Sequence, residues 1–137
     1  MTIQTIALPL PESVFLRFEQ MSKVTQRPLV ELLLHAVEVG SPPSWEEAPA
    51  RFQTDLAALD RLDNQSLWQI AKAKRDEIEV ARLQELLDKR SDSPLSAPEE
   101  RELNMLVEEA DRLMLCKAHA AALLRWRGEV VPPAEQL

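Results

Sequence analysis

The chain holds one cysteine and two histidines, so nucleophilic and metal chemistry have few places to start. Cys116 and His119 stand three residues apart, a spacing that puts both on one face of a helix and lets both reach one ion. Two ligands do not complete a tetrahedral site, and no CxxC or second His/Cys pair exists to supply the others. Cys116 therefore reads as a buried structural thiol. His35 falls within an apolar run and reads as a core or interface residue. With two histidines a Ser-His-Asp arrangement has few ways to form, and no nucleophile elbow is present. The carboxylates Glu99, Glu100 and Glu102, then Glu108, Glu109 and Asp111, are dense but have the pattern of a solvated helix face. Lys117, His119, Arg125, Trp126 and Arg127 make a basic, partly aromatic cluster. In one reading Trp126 stacks on a nucleic-acid base between two arginines. In the other, which is the expectation, these cations complement a helix C-terminus and Trp126 packs on its own domain. No enzyme, catalytic residue, metal or cofactor is expected.

The elements that would position these groups are marked by prolines and by apolar spacing. In TIQTIALPL, residues 2–10, Ile6, Leu8 and Leu10 alternate with Thr5, Ala7 and Pro9, a period of 2 that predicts a short half-buried strand. Pro11 introduces a first amphipathic helix with Val14, Phe15, Phe18 and Met21 on one face, and Pro28 sits near the start of a second. Leu29, Leu32, Leu33, Ala36 and Val37 form the main face of that second helix, and Val30 and Leu34 widen it almost all round. Gly40 and Pro42-Pro43 end it. A strand and two helices are too small to be stable alone, so the widened face calls for a second copy or for the rest of the chain.

SPPSWEEAP marks a boundary, giving segments 1–43 and 44–137. Beyond it, Arg51 to Leu62 reads helical, with Phe52, Leu56 and Leu59 on one face. Asp63 is a helix N-cap before Leu67, Trp68, Ile70 and Ala71, and Trp45 and Trp68 should anchor these central helices. A further helix covers Asp76 to Arg90. The last runs from the capping-box spacing Ser96-Ala97-Pro98-Glu99 to Gly128, with a seam of Leu103, Val107, Ala110, Met114, Ala121 and Leu124. It carries six acids and one base from Glu99 to Asp111, then four bases and no acid from Arg112 to Arg127, the order the helix dipole favours. These last two helices should form an αα-hairpin.

Composition agrees with a mostly helical chain. Only 2 glycines and no tyrosine occur, which disfavours sandwiches, barrels and glycine-rich phosphate loops. No apolar run reaches the roughly 20 residues of a membrane span, no secretory signal is evident, and a lone cysteine suits a reducing cytoplasm. The net charge of -7 divides unevenly: residues 1–44 carry three bases and four acids, and the remainder carries 13 bases and 19 acids.

The stretch IALPLPESVFLRFEQMSKVTQRPLVELLLHAV resembles the ribbon-helix-helix family of bacterial repressors and antitoxins. It matches the family's strand, its L-P/S-E-x-V entry to the first helix and its R-x-x-x-E-L-L entry to the second, over residues 2–40. The resemblance implies a mostly α fold: one short strand and two helices paired in a homodimer, followed here by the C-terminal helical domain and its αα-hairpin. It implies a DNA-binding transcriptional regulator, antitoxin-like, whose helical domain binds a toxin or another protein. By that resemblance Gln4 and Thr5 would meet base edges, and Lys23 and Arg27 would meet phosphates. Ile6, Leu8, Leu10, Leu29, Leu32, Leu33, Ala36 and Val37 would form the dimer interface. The alternative is an interaction scaffold that uses the ribbon only to dimerise and binds no DNA: Ala7 and Pro9 offer a base no paired hydrogen bonds.

Overall fold

Proline sets where the first helices begin. In the computed structural model, which describes residues 2–137, Pro11 (φ −56°) stands at the cap of α1, Glu12–Thr25, and Pro28 (φ −56°) at the cap of α2, Leu29–Val39. Each ring holds φ where a helix needs it, and the missing N–H falls where helix donors lack an internal acceptor. Between them the chain reverses at Gln26, whose φ of 55° is left-handed. The Gln26 and Arg27 N–H groups both reach the Ser22 carbonyl, the second at 3.2 Å, and Ser22 Oγ donates to the Arg27 carbonyl at 2.6 Å. This locks the turn that folds α2 back on α1.

The ribbon expected at the N-terminus is not there. Residues 2–10 lie outside any helix or ladder, and the described residues contain no strand, so the fold is all-helical. The alternation of Ile6, Leu8 and Leu10 suits a strand, but a strand exists only when a neighbour takes up its backbone N–H and C=O groups. No other segment of the described chain lies in register beside this one, and Pro9 and Pro11 have no N–H to offer a ladder.

The chain divides into two compact units, the first ending at Ser41 and the second running from Pro42 to Leu137. In the second, α3 spans Ala50–Leu59 and α4 spans Asn64–Ala71. Asp63 caps α4, accepting from the Ser66 N–H at 2.8 Å. Asp76 caps α5, Glu77–Asp92, in the same manner through Ile78. The longest helix, α6, spans Ala97–Trp126 and opens with the reciprocal capping box: Glu99 N–H to Ser96 Oγ at 3.3 Å, and Ser96 N–H to Glu99 Oε1 at 3.0 Å. It stops at Gly128, whose φ of 95° only glycine adopts readily.

The core of this unit joins α3 and α4 to the C-terminal half of α6. Phe52, Leu56, Leu59, Leu67 and Ala71 meet Ala120, Leu123 and Leu124, with Trp45 and Trp68 packed against them. Burying each large side chain among these contributes about 1.5–3 kcal/mol. At the other end of α6, Leu86 of α5 and Leu103 are both buried. Arg82 pairs with Glu102 at 2.6 Å and Lys89 with Glu99 at 2.5 Å, so α5 and α6 run antiparallel as a hairpin. Between these two packed stretches the expected seam is uncovered: Val107 and Met114 are exposed, Met114 by 60%.

Candidate functional site

The N-terminal unit is the larger anomaly. None of its described residues is buried, on α1, on α2 or on the extended segment before them. Instead Ile6 (84%), Leu8 (65%), Val30 (66%), Leu34 (57%) and Val37 (60%) stand in solvent. These side chains, with Leu10, Phe18, Leu33 and Ala36, line an apolar groove of ≈ 460 Å³ between the extended segment and the two helices. The α1–α2 turn creates it by laying α2 beside Phe18. Of the residues expected at a dimer interface, Ile6, Leu8, Leu10, Leu33, Ala36 and Val37 come together here. Leu29 and Leu32 are half-buried and do not line it. Phe18 was read as part of the α1 face, and nothing in its spacing indicated that it would join the α2 face.

The residues expected to meet DNA lie on the same unit but are not gathered by any cavity. Gln4 and Thr5 are exposed on the extended segment. Lys23, on the last turn of α1, pairs with Glu19 at 3.5 Å, and Arg27, at the turn, pairs with Glu31 at 2.7 Å. Each cation is thus partly offset by an acid one helical turn away, which leaves this face little net positive field.

In the second unit the basic, aromatic cluster at the end of α6 divides between two sides. His119 is only 8% exposed, and its Nε2 lies 2.7 Å from Asp60 Oδ1; Trp45 Nε1 donates to Asp60 Oδ2 at 2.9 Å. Arg127 donates to the carbonyls of Leu62 (2.7 Å) and Asp60 (3.1 Å) and to Asn64 Oδ1 at 3.0 Å. These bonds clamp the α3–α4 link onto α6, so His119 and Arg127 serve the fold. Lys117 and Arg125 face elsewhere: Lys117 Nζ donates to the Ala73 carbonyl at 2.5 Å and Arg125 to that of Pro132 at 3.3 Å.

Cys116 is a free, half-buried thiol whose pKa burial pushes up, with Asp55 adding to the shift, so it is a poor nucleophile. Among the described residues no three potential ligands cluster around a point that could hold a metal ion. No helix among them is long and apolar enough to cross a membrane. No protein-family model, curated protein or solved structure matches this chain.

Proposed function

We propose that this protein is a non-catalytic, dimeric regulator of the cytoplasm that binds DNA through its N-terminal unit and a protein partner through its helical unit. The observation that carries the reading is the groove: a unit of about 40 residues with no buried side chain does not pay the entropy of ordering its own backbone. A second copy supplies an apolar face of matching size and character. Self-association through Ile6, Leu8, Leu33, Leu34 and Val37 removes from water the side chains the single chain leaves exposed. The resemblance of residues 2–40 to ribbon-helix-helix repressors and antitoxins supports the DNA half of the proposal. In it Gln4 and Thr5 meet base edges, and Lys23 and Arg27 meet phosphates.

The pairing of Lys23 with Glu19 and of Arg27 with Glu31 favours the second reading, a scaffold that dimerises without binding DNA. Two measurements separate them. Light scattering should give twice the 15.6 kDa of one chain, and Leu34→Asp should halve that mass while the helical unit stays folded. A gel shift against fragments that include the protein's own promoter should show binding that weakens with salt, with a smaller salt slope in a Lys23→Gln, Arg27→Gln variant. A dimer without salt-sensitive binding at micromolar protein leaves the scaffold; a folded monomer removes both readings.

A further inference from the structure

The helical unit contains a cavity of ≈ 510 Å³ that neither self-association nor DNA binding uses. It lies along the uncovered middle of the α6 seam. Leu113, Met114, Ala118 and Ala121 form its floor, the α4–α5 link at Ala73–Arg75 forms one side, and Ala134 and Leu137 form another. The small alanine side chains leave the space that larger residues would fill.

The lining side chains are apolar except for four cations, Lys74, Arg75, Lys117 and Arg125, and include no Asp or Glu. None of the four pairs with an Asp or Glu side chain among the described residues. Two of them are held by backbone carbonyls, Lys117 by Ala73 and Arg125 by Pro132, which fix the position of the charge without neutralising it, while Lys74 donates to the main-chain oxygen of Leu137. The acids Asp76, Glu79 and Glu109 line a separate, adjacent depression together with Lys74 and Arg75. The segment as a whole has 19 acids and 13 bases from residue 44 onward, so gathering four cationic side chains and no acidic one around one apolar cavity runs against its overall charge.

We propose that this cavity binds a medium-chain carboxylate, with its hydrocarbon tail on the α6 floor and its head among Arg75, Lys117 and Arg125. Sites for small ligands are typically about 300–1,000 Å³, mostly apolar, with a few convergent polar groups, and this one meets each condition. A space walled by α6, by the α4–α5 link and by the C-terminal segment admits one extended chain more readily than a helix, which is about 10 Å across.

Calorimetric titration of the full chain with decanoate, decanol and decyltrimethylammonium at neutral pH tests the assignment. Decanoate should bind saturably, decanol at least about tenfold more weakly, and the cation not measurably. Ala118→Leu fills the cavity from an exposed position, so it should abolish decanoate binding with the circular dichroism spectrum unchanged. Arg125→Gln should weaken it by about tenfold. Absence of saturable decanoate binding would overturn the proposal, as would equal affinity for decanol or undiminished binding by the folded Ala118→Leu variant. An acidic amphipathic peptide that binds where decanoate does not would overturn it as well, in favour of a protein partner.

Discussion

At the scale of single residues, Asp60 and Glu99 show how a side chain of ordinary type acquires a structural role from its partners. Asp60 receives Trp45 and lies against His119, while its backbone carbonyl accepts from Arg127. Two residues of the basic cluster, His119 and Arg127, are thereby engaged by the α3–α4 link, and Trp45 anchors that link as its sequence position suggests. Glu99 closes the capping box of α6 and accepts from Lys89 at 2.5 Å. The Lys89 ammonium first, and then the Ser96 backbone, hold its carboxyl at about 2, against an ordinary 4.5. A carboxyl whose pKa is depressed by folding contributes stability that is complete above the unfolded value and is lost as pH falls through the folded one. The α5–α6 hairpin should therefore weaken as pH drops from 4.5 towards 2. Glu99→Gln, which has no proton to take up there, should flatten that part of a stability profile followed by circular dichroism. An unchanged slope in the variant would show that other carboxyls govern the acid limb.

At the scale of elements, helix boundaries were the most legible feature of the chain, because they depend on neighbours in sequence. Ser96 with Glu99, Asp63 before α4 and Gly128 after α6 are local signals, and all three operate as read. The two glycines separate what is local from what is not. Gly128 has a φ of 95° with nothing within 4 Å of an added Cβ, whereas Gly40 has an ordinary φ of −87°. Gly128→Ala should cost about 1 kcal/mol through backbone strain alone, and Gly40→Ala should be neutral or stabilising by up to about 1 kcal/mol. Urea denaturation of both variants checks this, and equal effects would mean that the end of α6 is not set by the left-handed turn. The strand was misread for a complementary reason. Alternation in residues 2–10 states which side chains share a face, but a ladder needs a second segment whose position no local pattern encodes.

At the scale of the whole molecule, the two units differ in how they are stabilised. The unit from Pro42 onward has its own core of Phe52, Leu56, Leu67 and Leu124, and the N-terminal unit has none. Under the dimer proposal, calorimetry should resolve two transitions. The first should rise with protein concentration by mass action, and the second should not. Leu34→Asp should remove the concentration dependence and leave the second transition in place. A single concentration-independent transition in the native chain would contradict separate stabilisation of the units. The sequence by itself determined the helical composition, the caps and the apolar character of α2, since composition, caps and periodicity act over a few residues. Tertiary structure alone decided that residues 2–10 form no ladder, that His119 and Arg127 bond to the α3–α4 link, and that the middle of α6 opens beside four cationic side chains. Each of these depends on which distant residues pack together, and packing is set by the shapes of whole elements rather than by the spacing within any one of them.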